Sequence, residues 1–468
     1  MPGPWTLSLA PHTPPIEDLV PDPARETASE DAAPRDAAHQ SALEALTAGS
    51  HTEDELVALG RETSGFQGLR TVYTLLFGLH ARCLLRRSLW MDGRQGLTLT
   101  PTSDLCPWSI AEVDPQQSHG LSRFALVRRD GDRLLLESPR GRAQVTLHGP
   151  SAVGLIGPLA GPVDGDRLAA ALGITLDMAA HALALLHHAN VLTPFDDGGR
   201  PLEDDSPALR PWAFHDLLLH NRSRLGSHID GYGATYPFRG ITEPQPAIAP
   251  ERPGRAVELP RPDLDHCLAH DPPFARVLED RRSRRQHGDP PIRLEQLGEL
   301  LYRAARIVET LDGEHYSLAR RPYPGGGGAW ELEIYPVVHR CAGLAPALYH
   351  YRADTHRLVE LAPTDASVQR LLDNAAHIAG TDDPPQVLLL LAARFGRLSW
   401  KYESMAYATV LKDVGVLLQT FYLVGTAMDL AVSALGGGNS DLFAQITGID
   451  PLEESTVGEL IVGSRVRD

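Results

Sequence analysis

The chain has 468 residues, which is longer than one ordinary domain core, so two or three domains are expected. Its apolar content of 43% is that of a globular protein, and its formal net charge of −17 argues against sequence-independent binding of DNA or RNA. The four cysteines lie far apart and form no CxxC pair, so neither a disulfide framework nor a metal site is expected. The N-terminus shows no signal-peptide pattern, and we therefore predict a cytoplasmic location.

The first part of the chain changes character near residue 50. Residues 1–50 are rich in Pro, Ala, Asp and Glu without periodicity, which predicts a disordered arm. Residues 51–115 show a helix from Thr52, a second helix from Leu69 to about Arg86, and then two short apolar runs that read as a hairpin. This order predicts a partial winged-helix-like segment.

Residues 116–205 show a fuller winged-helix pattern. Strands between Phe124 and Leu147 are separated by an Asp130-Gly131 turn, and a helix follows Thr175 as its N-cap. A winged helix often binds DNA. We expect this helix to expose three histidines, His181, His187 and His188, but no arginine or lysine. A recognition surface that could face phosphates is therefore missing. Peptide binding by addition of a strand to the sheet edge is the alternative that the sequence favours.

The second half of the chain begins with a connector. Residues 206–265 are rich in Pro, Gly and Asp, with an aromatic run at Tyr232, Tyr236 and Phe238, and we expect them to wrap the domain that follows. From residue 266 to 468 helices and strands mix without regular βαβ spacing. This pattern predicts an α+β fold.

Within that domain, residues 399–430 predict a long helix with apolar residues at the spacing of one face, including Val410, Val414, Leu417 and Phe421. We expect it to be buried nearly all round, as the axis of a core and not as a membrane span. Its entry carries Lys401 and Tyr402. Lys401 and Lys412 are the only lysines in the chain, so an amine of tunable pKa stands beside a phenol where arginine is otherwise used.

Two further patterns suit a phosphate-bearing ligand. Residues 281–285, Arg-Arg-Ser-Arg-Arg, combine guanidinium groups with a hydroxyl, although a solvated charge run has the same composition. Glycine clusters at 325–328 and 436–438 allow the backbone to approach a flat ligand, although a mobile loop has the same composition. No GxGxxG motif opens a helix and no Walker loop is present, so a mononucleotide is favoured over a dinucleotide.

Taken in order, these motifs resemble the FMN-dependent azoline dehydrogenases of the nitroreductase fold, which act in the streptolysin and microcin pathways. The motifs are Arg-Arg-Ser-Arg-Arg, Arg-Pro-Tyr-Pro-Gly-Gly-Gly before Leu332, and Lys-Tyr ahead of an apolar helix with Asp413 and Gln419. The resemblance covers about residues 206–468. Upstream, the winged-helix segments resemble the peptide clamps of longer members such as the cyanobactin oxidases.

The resemblance implies that a thiazoline or oxazoline ring in a ribosomal precursor peptide loses two hydrogens to become a thiazole or oxazole. Flavin N5 would take the hydride and dioxygen would reoxidise the flavin. The resemblance makes Lys401 and Tyr402 the catalytic pair. A phenol is a poor base at neutral pH unless its anion is stabilised, so Tyr402 is assigned as the base and Lys401 as its electrostatic partner, with the reverse assignment open. Both can reach one substrate only from a loop or a first helical turn.

The resemblance also implies a set of FMN-binding residues: Arg281, Arg282, Ser283, Arg285, Gly326, Gly327, Gln419, Gly436, Gly437 and Arg465. This chain departs from the family at Tyr323-Pro324-Gly325, where Pro-Ser is usual, so backbone and not hydroxyl contacts are expected there. In this fold FMN lies between subunits, which implies a homodimer. The implied partners are a leader-bearing precursor peptide and cyclodehydratase components. No nucleic acid, membrane or metal is expected.

Two other functions stay open. One is a small-molecule nitro- or quinone-reductase that uses NAD(P)H, which would give the first two hundred residues and the Lys-Tyr pair no task. The other is a non-redox scaffold that binds the precursor peptide and its cyclising enzymes.

Overall fold

The computed structural model describes residues 5–10, 13, 37–91, 93–226 and 231–466. The chain forms two compact units, Met1–Gly231 and Tyr232–Asp468. The boundary between them lies inside the segment 206–265 that the sequence marks as a connector.

The first unit is built around antiparallel strands. Its strands and helices are β1 (Trp5–Leu9), β2 (His51–Thr52), β3 (Leu85–Met91), β4 (Arg94–Pro101), β5 (His119–Leu121), β6 (Leu126–Asp130), β7 (Arg133–Glu137), β8 (Ala143–Leu147), β9 (Leu192–Pro194), α1 (Ala37–Ala48), α2 (Glu53–Ala81), α3 (Gly149–Gly154), α4 (Gly165–Leu172), α5 (Leu176–His188) and α6 (Phe214–Arg222).

One sheet joins the two predicted winged-helix segments. Its strand order is β2-β1-β3-β4-β8-β7-β6, and β4 pairs directly with β8. The boundary expected near residue 115 therefore does not separate two sheets, because strands from both sides of it share one hydrogen-bonded ladder. Strand β6 lies at one edge of this sheet and pairs with β7 on its other side.

The N-terminal arm requires a correction. Residues 1–50 were expected to be disordered, but β1 pairs along β3 and α1 buries Ala42, Leu43 and Leu46. The composition hid these elements because their apolar side chains are few and find their partners far along the chain. Residues 1–4, 11–12 and 14–36 of the predicted arm lie outside the described residues.

Helix α5 follows the prediction closely. The hydroxyl of Thr175 accepts a hydrogen bond from the Met178 amide at 3.1 Å. The helix buries six apolar residues: Ala179, Ala182, Leu183, Ala184, Leu185 and Leu186. Of the three histidines expected to be exposed, only His187 is; His188 is half-buried, with Nε2 at 3.5 Å from Cys106 Sγ. Burial lowers the pKa of His188 to about 4.

The second unit mixes helices and strands, which confirms the predicted α+β class. It contains β10 (Ala256–Glu258), β11 (Glu309–Asp312), β12 (Ser317–Arg320), β13 (Leu332–Val338), β14 (Ala347–Arg352), β15 (Arg357–Pro363), β16 (Val387–Arg394), β17 (Leu430–Leu435), β18 (Glu454–Ser464), α7 (Leu264–His270), α8 (Phe274–Asp280), α9 (Leu294–Ala305), α10 (Ala366–Ala379), α11 (Phe395–Ser399), α12 (Ala406–Ala427) and α13 (Ser440–Thr447).

A seven-stranded antiparallel sheet, ordered β10-β15-β14-β13-β16-β18-β17, forms the centre of this unit. Successive side chains of a strand point to opposite faces, and in β16 Leu389 and Leu391 enter one core while Leu388 and Leu390 enter another. Helices α9 and α12 cover the first face, and α10 and α13 cover the second. The continuous apolar sequence of β16 is therefore that of a strand covered on both sides.

The predicted helix over 399–430 is divided in the structure. Helix α11 ends at Ser399, a loop follows, and α12 begins at Ala406. Helix α12 is also not buried all round, because one stripe is exposed: Tyr407, Leu411, Gly415 and Gln419. By length and composition α12 could cross a bilayer, but its opposite face packs into the sheet core.

Candidate functional site

Lys401 and Tyr402 lie in the loop between α11 and α12. The amide groups of both residues donate to the carbonyl of Leu398, at 3.1 and 2.8 Å. Since the loop replaces a regular helix here, the two adjacent side chains can turn toward the same point. The structure thus meets the condition that the sequence set for a shared substrate.

That point lies against Gly327. Gly327 has φ +58°, and a Cβ at this position would lie 2.4 Å from the Tyr402 hydroxyl and 2.6 Å from Lys401 Nζ. The two side-chain atoms are therefore within about 5 Å of each other. Lys401 Nζ also donates to the Gly327 carbonyl at 3.3 Å. The glycine loop and the catalytic pair predicted from the sequence are brought together.

A segment of the predicted connector covers this loop. The backbones of Gly233 and Glu403 exchange two hydrogen bonds, and the Tyr236 amide donates to the Lys401 carbonyl at 3.1 Å. Farther along, the indole of Trp400 donates to the Thr242 carbonyl at 2.8 Å. Residues 233–242, which we call the covering segment, therefore fix the backbone of the Lys401–Tyr402 loop.

Two buried carboxyl groups stand behind the glycine loop. The Gly326 amide donates to Asp413 at 2.8 Å, which ties the loop to α12. Burial, together with the neighbouring Asp413 carboxyl, raises the pKa of Glu331 to about 8, and burial raises the pKa of Asp413. Because two such groups cannot both ionise cheaply in a buried place, the pair retains a proton at neutral pH.

The arginine cluster lies at the other end of α12. Ser283 Oγ is 2.9 Å from the hydroxyl of Tyr422, and the Arg281 guanidinium lies 5.5 Å from the centre of that ring. The Ala434 amide donates to the same hydroxyl at 2.8 Å. Tyr422 thus joins the arginine cluster to the strand that leads to Gly436 and Gly437, where a Cβ would meet open space.

The other residues predicted to bind the flavin differ in their partners and in their exposure. Arg282 donates to the carbonyls of Glu279 and Arg281, so it turns back toward the end of α8. Arg465 forms an exposed ion pair with Asp429, with 2.6 Å between Nη1 and Oδ1. An exposed pair of this kind is weak, so it can exchange for another anion. Arg285 is exposed, and so is Gln419, which lies on the open stripe of α12.

The predicted site residues therefore form two groups and not one. Thr409, which lies against Gly326, and Tyr422, which contacts Ser283, are thirteen residues apart in α12. This distance corresponds to about 20 Å of helix. We call Lys401, Tyr402 and Gly327 the Lys-Tyr group, and we call Arg281, Ser283 and Tyr422 the arginine group. Within one chain, these two groups lie toward opposite ends of the same helix.

Sequence reasoning missed several residues that shape these groups. Besides Glu331 and Tyr422, they are Tyr316, whose hydroxyl donates to the Gly327 carbonyl, and Arg397, which donates to the Ala329 carbonyl. Asp413 was noted only as part of a motif, although one carboxyl in an apolar helix already signals a specific partner. For Tyr316 and Tyr422 no sequence signal exists, because their contacts depend on tertiary structure.

Two family models match this chain. Residues 119–229 match the model of the cyanobactin oxidase ThcOx, and residues 278–464 match that of the nitroreductase family. These matches confirm the resemblance that the motifs predicted, and the second unit has the nitroreductase fold. Both matches point to an oxidoreductase, and members of the nitroreductase family typically bind flavin.

Individual relatives are more distant. A protein of Methanocaldococcus jannaschii that bears the name of a nitroreductase is 24% identical over 183 residues, covering 39% of this chain and 85% of its own. A solved nitroreductase-type structure from Anabaena variabilis gives a TM-score of 0.37 at 21% identity, over 52% of this chain and 45% of that chain. The E. coli microcin synthetase McbBCD complex with truncated pro-MccB17 bound gives a TM-score of 0.32 at 17% identity, over 50% of this chain and 82% of that chain.

The contact at Gly327 gives a first prediction. Gly327→Ala should displace the Lys401 ammonium and make it react faster with an amine reagent, on the order of 5-fold for one lost hydrogen bond of about 1 kcal/mol. Labelling is measured with Lys412→Arg, which leaves Lys401 as the only lysine. Gly328→Ala is the matched control, because Gly328 also has positive φ but its nearest neighbour is 3.4 Å away. Equal labelling rates would contradict the prediction.

The buried carboxyl pair gives a second prediction. Because the folded protein holds the Glu331 proton more tightly than the unfolded chain, this group favours folding fully below pH 4.5, and that contribution is lost as the pH rises to about 8. Glu331→Gln should therefore flatten the fall in unfolding free energy between pH 5 and 8, by on the order of a few kcal/mol. Chemical denaturation at several pH values measures it, with the exposed Glu314→Gln as control. Parallel curves for wild type and Glu331→Gln would refute the assignment.

Proposed function

We propose that this protein is an FMN-dependent azoline dehydrogenase, which oxidises thiazoline or oxazoline rings of a ribosomal precursor peptide to thiazoles or oxazoles. The observation that carries the proposal is the convergence of Lys401 Nζ, the Tyr402 hydroxyl and the Gly327 backbone. The nitroreductase match supports the redox chemistry, and the cyanobactin oxidase match supports a peptide substrate.

The residues fit the flavin in two parts. Arg281 and Ser283, beside the open glycines 436–437, offer guanidinium and hydroxyl groups that suit a phosphate monoester. Gly326 and Gly327 offer a backbone surface that a side chain at Gly327 would block. Bound FMN supplies the two-electron acceptor for the reaction, with dioxygen as the proposed final oxidant.

Lys401 and Tyr402 handle the proton. Burial opposes the ammonium form of Lys401, but its hydrogen bond to the Tyr316 hydroxyl and the electrostatic influence of the neighbouring tyrosines outweigh it, so the pKa of Lys401 is raised. An ammonium that stays charged lowers the cost of a neighbouring phenolate. Tyr402 is thus the proposed base that removes the ring Cα proton, and Lys401 stabilises its anion.

The separation of the two groups supports the proposal of a homodimer. An isologous contact between α12 helices running in opposite directions would bring the arginine group of one subunit toward the Lys-Tyr group of the other. The exposed stripe of α12, with Tyr407, Leu411 and Gly415, is the proposed contact surface. The flavin would then be held by residues from both subunits.

Strand β6 is the proposed docking edge for the leader peptide. It ends the sheet of the first unit, and an added strand needs mainly backbone groups. Leader-bearing substrate should then be converted at lower concentration than the same peptide without its leader. Equal conversion of both would remove the clamp from the proposal. Cyclodehydratase components and a cytoplasmic location remain predictions.

The colour of the purified protein and its response to NAD(P)H distinguish the proposed function from the two alternatives. A flavin dehydrogenase should purify yellow, with about one FMN per subunit, and should not bleach on NAD(P)H addition. Rapid bleaching by NAD(P)H would favour a small-molecule reductase. Colourless protein that still binds the precursor peptide would favour a scaffold.

The catalytic pair gives a third prediction. Lys401→Ala and Tyr402→Phe should retain FMN and dimeric state but convert an azoline-bearing peptide about 10²- to 10⁴-fold more slowly, the usual effect of losing a positioned base or its partner. Intact mass spectrometry reads the conversion as a loss of two hydrogens. Lys412→Arg is the control, because Lys412 is exposed on α12. Undiminished conversion in either variant would remove that residue from the mechanism.

The shared site gives a fourth prediction, tested by subunit exchange. Lys401→Ala and Arg281→Ala homodimers should each be impaired, because every site in them lacks one group. A mixed dimer would contain one site with both groups intact, so equal mixing should restore about a quarter of wild-type activity, half of the dimers being mixed. No recovery after verified exchange would place both groups in a site within one subunit.

A further inference from the structure

The Gly327 carbonyl accepts two hydrogen bonds, one of them from a residue outside the predicted set of site residues. Lys401 Nζ donates to it at 3.3 Å, and the hydroxyl of Tyr316 donates to it at 3.1 Å. A carbonyl oxygen has two lone pairs and can accept both. The ammonium also lies 5.7 Å from the centre of the Tyr316 ring. Tyr316 therefore contacts Lys401 through a shared acceptor and through its ring.

Tyr316 is held more firmly than Lys401. Its side chain is buried, its ring meets that of Trp400 edge-on at 5.8 Å, and the guanidinium of Arg397 lies 5.2 Å from its centre. Arg397 is itself buried and donates to the carbonyls of Gln245, Ser317 and Ala329. The buried ring of Tyr316 is thus fixed by its neighbours, and it lies beside Lys401, whose side chain is half-exposed.

We propose that Tyr316 is a positioning residue that holds the Lys401 ammonium against Gly327 and toward Tyr402. Its consequence for catalysis rests on the proposed function, but the contact itself does not. The other groups that face Lys401 are the rings of Tyr402 and Tyr236, with His315 packed 4.8 Å from Tyr236. Of Tyr316 and these other groups, only Tyr316 donates to the Gly327 carbonyl that also accepts from the Lys401 ammonium.

Lys401 can be observed directly because the chain has only two lysines. In a Lys412→Arg background, reductive methylation with ¹³C-formaldehyde labels Lys401 and the N-terminal amine, which titrates separately near pH 8. Carbon NMR then reports the pKa of Lys401 in the folded holoprotein. This readout needs no substrate and no turnover.

Tyr316→Phe keeps the ring and removes only the hydroxyl. We expect it to lower the pKa of Lys401 by about 0.5 to 1 pH unit, because the Tyr316 hydroxyl oxygen also hydrogen-bonds the ammonium and so favours its charged form. Tyr302→Phe is the matched control, because Tyr302 packs on His356 and Arg306. An unchanged Lys401 titration in folded Tyr316→Phe, checked by circular dichroism, would overturn the proposal.

The activity arm separates this inference from the proposed function. If azoline turnover requires the ammonium, the alkaline limb of kcat/KM should move to lower pH in Tyr316→Phe by the same amount as the NMR titration. A uniform fall at every pH with an unmoved limb would instead show a merely structural role and overturn the proposal. A shifted titration in a protein that does not turn over azolines would uphold the contact and refute the proposed function.

Discussion

The geometry of the Lys-Tyr group depends on one buried cation. The guanidinium of Arg397 is almost fully buried, and removing such a charge from water is costly unless carbonyl acceptors surround it. Here the acceptors come from the connector at Gln245, from Ser317 on β12 and from Ala329 after the glycine loop. Arginine presents several donors in a fixed plane, so satisfying it fixes three chain segments at once. Helix α11, which carries Arg397, ends two residues before Lys401.

Helix α12 then sets the distance between the two halves of the site. Its buried face is fixed by the sheet through Val410, Leu417 and Phe421, while Asp413 reaches from it to the glycine loop. Near its far end Tyr422 holds Ser283. A rigid helix cannot shorten, so within one chain the two halves stay about 20 Å apart, and we propose that the other end of a second copy completes the flavin site. The exposed stripe of this helix is what such a pairing requires.

The sequence was most informative where chemistry is local. The arginine cluster, the glycine loops and the Lys-Tyr pair are visible in the sequence as residue types in a fixed order. It failed where the outcome depends on distant contacts. The continuous apolar pattern hid the loop before α12, and the arm composition hid β1, whose partner β3 lies about eighty residues away. Tyr316 and Glu331 looked ordinary because only the tertiary fold gives them partners.

Backbone strain supports the view that the Lys-Tyr group is prearranged. Tyr236, Trp330 and Ser404 all have positive φ, a conformation that non-glycine residues seldom adopt and that costs on the order of 1 to 3 kcal/mol each. Tyr236 donates a hydrogen bond to the Lys401 backbone, Trp330 packs over Gly325, and Ser404 lies two residues after Tyr402 in the same loop. A fold tolerates such strain where surrounding contacts fix the backbone. Since these three residues lie along the segments that shape the group, the fold itself holds its polar atoms in place, and the proposed proton transfer would need little reorganisation.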